Sequence, residues 1–195
     1  IPGSLEMKPE ITAPGGSIYS VNGAVKGGQA YETMSGTSMA APQVTGMAAL
    51  VAQYIRETGL DQKTGRSARY LVQSLLMSTA QPLLDGSTGS YWSVLQQGAG
   101  LANVGDAIAA ETYVAMGDDA TVSSADGKVK AELGADKGKS GVYHFTFSLK
   151  NLTDEARSYA LSAELFTQDT FTYDGVSYLD TATTPLSAGA VFAVN

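Results

Sequence analysis

The residue of this sequence best placed to do chemistry is Ser38, within the run Ser35-Gly36-Thr37-Ser38-Met39-Ala40-Ala41-Pro42. Gly36 has no side chain, so another backbone could approach the serine hydroxyl closely. The mostly apolar residues that follow predict a buried helix, and Pro42 is tolerated only near its start, which places that start within a residue or two of Ser38. The first N–H groups of this helix would face the hydroxyl. The pattern suits an attacking oxygen beside an oxyanion site, although a lone Gly-Thr-Ser more commonly caps a helix without any chemistry.

Three segments of the chain resemble, in the same order, segments of the subtilisin-like serine proteases, the subtilase or S8 peptidase family. Lys8–Gly15 (KPEITAPG) is similar to the segment before the serine box, Gly36–Pro42 (GTSMAAP) to the serine box itself, and Gln97–Val104 (QGAGLANV) to the segment that closes the catalytic domain. Gln43 departs from many family members, which carry histidine there, but that position is not part of the catalytic triad. The resemblance covers roughly residues 6–110 and implies a subtilisin-like α/β fold.

The resemblance assigns roles to three residues of the serine box. It implies that Ser38 is the catalytic nucleophile, that its own backbone N–H donates to the oxyanion, and that Gly36 and Thr37 shape the pocket beside it. The substrate would be a polypeptide, hydrolysed through an acyl-enzyme, and no cofactor is implied.

The rest of a catalytic triad is not found in this sequence. A serine needs a base, normally a histidine oriented by a carboxylate, and the only histidine here is His144. Subtilases carry their residues in the order Asp, His, Ser, so His144 lies on the wrong side of Ser38, within an alternating pattern typical of an ordinary strand. Asn22 is too close to Ser38 to be the family's oxyanion asparagine. We therefore expect these groups on sequence outside this chain, and we expect the isolated chain to be inactive.

A second hypothesis is that the chain is a non-catalytic subtilase relic whose β-sandwich binds a surface partner or acts as a spacer. The retained serine box favours the peptidase. For either hypothesis we expect an extracellular or cell-envelope location in a bacterium. We also expect the chain to associate with the remainder of its own catalytic domain, or with a second copy of itself, because a parallel sheet needs covering on both faces.

Composition excludes several other classes. The net charge of −7 disfavours nucleic acid and anionic membranes, the absence of cysteine rules out disulfides and thiolate metal sites, and no apolar run is long enough to span a membrane. Subtilases often bind calcium, and Asp118, Asp119 and Asp126 lie in a Gly/Ser-containing loop. Because their spacing matches no defined ligand loop, the sequence predicts solvated carboxylates and no metal site.

The sequence divides into two predicted parts. Residues 1–112 read as the C-terminal part of a subtilase catalytic domain, with a short buried strand at Ile11–Ala13. Tyr19–Val21 and a Gly-rich stretch then lead into the serine box. Three helices are predicted there: one from about Ser38 to Thr58 ending at Gly59, one at Ser67–Ser78, and one at Val104–Ala110 capped by Asn103.

Residues 113–195 read as a β-sandwich that is expected to be incomplete. It resembles the fibronectin-III-like domain that follows the catalytic domain in cell-envelope subtilases, the group of lactocepin and the C5a peptidases. Alternating apolar residues, including Tyr143, Phe145, Tyr159 and Leu161, would face inward. The predicted strands are Ala120–Ser123, Val129–Leu133, Val142–Lys150, Ser158–Phe166 and Val191–Val194.

Overall fold

The structure is a computed structural model of the 195-residue chain and describes residues 7–23, 27–28, 30–117, 126–186 and 191–193. The elements in chain order are β1 (Ile18–Val21), β2 (Tyr31–Met34), α1 (Thr37–Thr58), α2 (Leu60–Thr64), α3 (Ala68–Ser78), α4 (Val94–Gln97), α5 (Val104–Ala109), β3 (Thr112–Met116), β4 (Phe147–Asn151), β5 (Phe166–Tyr173) and β6 (Val176–Pro185). Among the helices of the described residues, none combines the length and the apolar character that crossing a bilayer requires.

The core forms where α1, α3, α5 and β3 pack together. Val51, Ile55, Leu71 and Leu75 are fully buried there, and each such side chain contributes roughly 1.5–3 kcal/mol relative to an exposed one. α3 buries the face that carries Leu71, Leu75 and Leu76. This core supports α1 from one side and so fixes the direction in which the start of α1 points.

The predicted helix boundaries are confirmed, because local signals determine them. Ser67 caps α3, its hydroxyl accepting the Tyr70 N–H at 3.2 Å, and Asn103 caps α5, its side-chain oxygen accepting the Gly105 N–H at 2.9 Å. Gly59 ends α1 with a left-handed conformation (φ 64°, ψ 26°), and its N–H bonds to the Ile55 carbonyl.

The prediction that the first helix is buried on all sides is wrong. One stripe of α1 packs on the core, with Val51 and Ile55 buried and Met47 half-buried, while the opposite side, including Ala49 and Leu50, is exposed. The half-exposed Leu50 shows that the helix has an apolar second face that the described part of the chain leaves uncovered.

The strands of the first half pair differently from the prediction. The predicted strand Ile11–Ala13 is reduced to a single parallel bridge between Thr12 and Leu101. Tyr19–Val21, for which no strand was predicted, forms part of β1, which pairs antiparallel with β2 from Ile18↔Met34 to Val21↔Tyr31. In the described ranges, the sheets are three antiparallel pairs, β1–β2, β3–β4 and β5–β6.

The second half contains fewer of the predicted strands than expected. Only the end of the predicted strand Val142–Lys150 forms, as β4, which pairs with β3. Residues 129–133 and 158–165 are not in strands, and Tyr159 and Leu161 are exposed. Residues 191–193 are not in a strand either, whereas Ala120–Ser123 and residue 194 lie outside the described residues. Alternation specifies the face of a strand, but the ladder also needs a neighbour, which the described chain does not supply.

The hairpin β5–β6 was not predicted, although its turn carries a recognisable signal. Asp174 and Gly175 both have positive φ (49° and 74°), as a type I′ turn requires, and Asp-Gly between apolar runs is typical of this turn. Across the hairpin, Phe171 and Tyr178 stack with ring centroids 5.4 Å apart.

The predicted boundary between the two domains falls inside a strand. β3 runs across residues 112 and 113, and the division into domains stays a prediction.

Candidate active site

Ser38 lies on the surface in the first turn of α1. The helix begins at Thr37, within the predicted distance, and Gly36 is its N-cap residue with φ 157° and ψ 167°. No side chain caps this end, and the N–H groups of Met39 and Ala40 both bond to the Gly36 carbonyl, at 3.0 and 3.4 Å. The N–H groups of Thr37 and Ser38 therefore remain as the donors of an uncapped first turn, next to the exposed serine hydroxyl.

The Ser38 hydroxyl has no base beside it in the described chain. Its side-chain oxygen lies 3.4 Å from the Met39 sulfur, which is a weak acceptor, and no hydrogen bond within the described residues joins it to His144. His144 is exposed and lies just before β4, so the prediction that it stands in a strand is wrong. This geometry presents an exposed hydroxyl without the group that would take its proton.

Gly36 leaves room for the Ser38 hydroxyl. A Cβ built on Gly36 would lie 3.3 Å from the Ser38 side-chain oxygen, and the backbone has a positive φ that side-chain-bearing residues rarely adopt. The prediction that Gly36 shapes the space beside the hydroxyl is consistent with this close approach. Thr37, the other predicted pocket residue, is exposed at the first position of α1.

Residues 7–17, called the support segment below, contact the serine loop. The serine loop is defined here as Ser35–Ser38, which joins β2 to the first turn of α1. The Gly36 N–H donates to the Gly15 carbonyl at 2.8 Å, and the Ser17 N–H donates to the Ser35 side-chain oxygen at 2.8 Å. A Cβ on Gly15 would lie 2.7 Å from the Gly36 carbonyl oxygen, so only glycine permits this approach. Two of the segments singled out in the sequence are thus in direct contact.

Gln43 and Pro42 add to this arrangement in ways that the sequence did not predict. The Gln43 side-chain amide donates to the Pro14 carbonyl at 2.6 Å, which ties α1 to the support segment. Pro42 lies in the second turn of α1 rather than the first. Because its nitrogen carries no hydrogen, the Ser38 carbonyl loses the helical donor four residues on.

The third segment, Gln97–Val104, holds the middle of the support segment. The Thr12 N–H donates to the Gly100 carbonyl at 2.9 Å, and the Ala102 N–H donates to the Thr12 carbonyl at 2.8 Å. Gly98 has a φ of 60°, and a Cβ there would overlap the backbone of Glu10. The three segments that resemble subtilases therefore meet through the support segment, which the sequence could indicate only by their order.

The hairpin β1–β2 leads directly into the serine loop and exposes an aromatic pair. The rings of Tyr19 and Tyr31 stack with centroids 5.6 Å apart at 24°, and their side chains are 70% and 50% exposed. Neither β1 nor β2 was predicted from the sequence, so this pair was missed.

A metal site is not present among the described residues, where no group of three or more histidine and acidic side chains could hold an ion. Asp126 lies 3.8 Å from Arg69 as a surface ion pair, and its carbonyl accepts the Gln73 amide at 2.7 Å. Asp118 and Asp119 lie outside the described residues.

The sequence that forms this site is similar to sequences of known proteins. The model of the subtilase family, Peptidase S8, matches residues 3–132, which is about two thirds of the chain. The chain belongs to the subtilase family. The PII-type proteinase of Lactococcus lactis subsp. cremoris is 31% identical over 176 residues, covering 87% of this chain and 9% of that protein. The C5a peptidase of Streptococcus pyogenes is 40% identical over 114 residues, covering 58% of this chain and 9% of that protein. The chain thus spans about a tenth of the length of these relatives.

Proposed function

We propose that this chain carries the nucleophile of a serine endopeptidase and that Ser38 is the attacking residue. The observation that carries the proposal is the exposed Ser38 hydroxyl beside the uncapped N-terminus of α1, in a chain that belongs to the subtilase family. Proteinases and peptidases of the kind named above are its relatives, which supports hydrolysis of peptide bonds.

The reaction proceeds through an acyl-enzyme. The Ser38 side-chain oxygen attacks the scissile carbonyl carbon while its proton passes to a histidine, and the resulting oxyanion accepts a hydrogen bond from the Ser38 N–H. The C–N bond then breaks, the amine leaves with the proton from that histidine, and water hydrolyses the Ser38 ester. Gly36 and Thr37 border the space in which the carbonyl sits.

The histidine, its aspartate and the second oxyanion donor come from the remainder of the catalytic domain. The exposed apolar face of α1, with Ala49 and Leu50, is where that remainder would pack. In subtilisin, loss of the serine or the histidine lowers turnover by about 10⁶-fold, so the isolated chain should be inactive. The full-length protein would act on polypeptides at the cell envelope or outside the cell of a bacterium.

Active-site labelling of the full-length protein tests this function. A fluorophosphonate probe should modify Ser38, located by peptide mapping, and the Ser38→Ala variant should not react. Ser20→Ala, an exposed serine on β1, is the matched control and should label like the wild type. The isolated chain should stay unlabelled. An unmodified Ser38 in the full-length protein would contradict the proposal.

We also propose that residues 113–195 form part of a fibronectin-III-like sandwich. The support is the pairing of β4, the hairpin β5–β6, and the exposed alternating residues Tyr143, Phe145, Tyr159 and Leu161, which need a facing sheet. A longer recombinant chain that includes downstream sequence should protect the amides of residues 142–146 and 158–165 from hydrogen exchange. Unchanged exchange there would contradict a sandwich.

A further inference from the structure

We propose that Lys130 is a positioning residue for Ser38 and acts through the support segment. The predicted effect of Lys130 on catalysis rests on the proposed function. Its predicted effect on the position of the serine loop, called the coupling below, does not. Lys130 is 92 positions from Ser38 in the sequence and lies outside the three segments that resemble subtilase motifs.

Lys130 is a buried cation with a complete set of partners. Its side chain is 5% exposed, and its ammonium donates to the Met7 carbonyl at 2.6 Å and lies 3.1 Å from Glu132 and 3.5 Å from Glu10. Three oxygen atoms thus surround a group that has three hydrogens to donate. The Met7 N–H also donates to Glu132, at 2.7 Å, so residues 130–132 hold both sides of the Met7 backbone.

The neighbouring lysines do not duplicate this role. Lys8 and Lys128 both pair with Glu10, but their side chains are 54% and 15% exposed. In the described contacts, Lys130 is the lysine that bridges Glu10, Glu132 and the Met7 carbonyl. Its removal would take away the cation that lies between Glu10 and Glu132, and loss of one partner from a buried ionic group is destabilising locally.

A continuous chain of contacts leads from this group to the nucleophile. The Glu10 carbonyl accepts the Ala99 N–H at 2.9 Å, Thr12 is bonded on both sides to the third segment, and the Gly15 carbonyl accepts the Gly36 N–H. Gly36 is the N-cap residue of the helix that carries Ser38. Displacement of Met7 and Glu10 would therefore shift the support segment and, through its hydrogen bonds, the serine loop. A misplacement of a reacting group by about 1 Å can cost ~100-fold in rate.

Hydrogen exchange on the chain itself tests the coupling without any activity. In Lys130→Met, the Gly36 and Ser17 amides, which donate to Gly15 and Ser35, should exchange at least about tenfold faster, while the Thr79 amide of the α3 end stays unchanged. Lys63→Met is the matched control, because Lys63 is 56% exposed and contacts Asp154 and Leu152 far from this group. Equal acceleration at all three amides, or none, would overturn the proposal.

The full-length protein provides the catalytic readout. Lys130→Met should lower kcat and the fluorophosphonate labelling rate about tenfold or more with KM little changed, and Lys130→Arg, which keeps the charge, should restore much of the loss. If Lys130→Met does not fold, Glu132→Gln, which removes one partner, replaces it in both experiments. A wild type that does not label would refute the serine peptidase, whereas the exchange result would still decide the coupling.

Discussion

At the scale of single residues, the surroundings of Ser38 require particular residue types. Gly15 and Gly36 approach each other through backbone atoms alone, and a methyl group on either would meet an oxygen of the serine loop. Gln43 reaches the Pro14 carbonyl from the second turn of α1. The described contacts that hold this region are therefore backbone hydrogen bonds, the Ser35 hydroxyl and the Gln43 amide.

Gly36→Ala in the full-length protein tests the space beside the nucleophile. The added methyl would lie 3.3 Å from the Ser38 side-chain oxygen and would also require an unfavourable positive φ, so we expect labelling of Ser38 to slow about tenfold or more. Gly86→Ala, whose added methyl would meet no atom within 4 Å and whose φ is not positive, is the control and should label normally. Equal labelling rates in both variants would contradict the assignment.

The sequence predicted the site only in part, for a physical reason. The helix start beside Ser38 follows from neighbouring residues, and so could be predicted. The support given by Lys130 joins residues 123 positions apart, such as Lys130 and Met7, and no local pattern encodes such a contact.

At the scale of elements, helices were predicted better than strands. Ser67 and Asn103 act on N–H groups two or three residues away, so their caps are visible in the sequence. Apolar and polar residues alternate just as clearly in residues 158–165, yet no strand forms there. A strand there would need a hydrogen-bonded neighbour from a distant part of the sequence. The turn at Asp174-Gly175 was a local signal that could have found β5–β6.

Gly175→Ala should weaken the hairpin β5–β6. Gly175 has a φ of 74°, which costs an L-residue with a side chain about 1–2 kcal/mol. We expect weaker NMR cross-peaks between the Phe171 and Tyr178 rings. The midpoint of urea unfolding should also fall where the hairpin unfolds together with the core. Gly138→Ala is the control, because its added methyl would make only an ordinary contact of 3.6 Å. Intact ring contacts in Gly175→Ala would contradict this view of the turn.

At the scale of the whole molecule, the ionic group around Lys130 links the start of the described chain to residues 128–132. Burial raises the pKa of Glu10, but the hydrogen bond and charge of Lys8 and the charges of Lys130 and Lys128 outweigh it and hold that pKa below its ordinary value. Burial also raises the pKa of Glu132, and the bonds from Lys130 and Met7, with the charges of Lys130 and Lys8, again lower it overall.

Acid should therefore loosen this link. Because both carboxyl groups have a folded pKa below the unfolded one, their stabilisation is present above about pH 4.5 and is lost as the pH falls through the folded values. Urea midpoints should fall between pH 6 and pH 3, and less steeply in Lys130→Met. The lowered pKa values of Asp85 and Asp136, which are held by hydroxyl and backbone N–H groups, contribute equally to both proteins. Parallel pH curves would contradict the role of Lys130.

The exposed apolar surface predicts self-association of the isolated chain. Tyr143, Phe145 and Leu161 are 49%, 46% and 42% exposed, and such unpaired strand-like segments can pair with other chains. Light scattering should show species larger than a monomer that increase with concentration. Leu161→Lys should reduce them, whereas Leu84→Lys, at a 57% exposed loop position, should do so less. A compact wild-type monomer at every concentration would contradict this prediction.

The stacked pair of Tyr19 and Tyr31 gives the protein an optical reporter of its own. Two phenol chromophores held in this geometry couple their electronic transitions and produce a signal in near-ultraviolet circular dichroism. Because the pair stands on the hairpin that leads into the serine loop, a molecule that binds over that loop should alter the spectrum. Binding over this loop could then be followed without dye, tag or turnover.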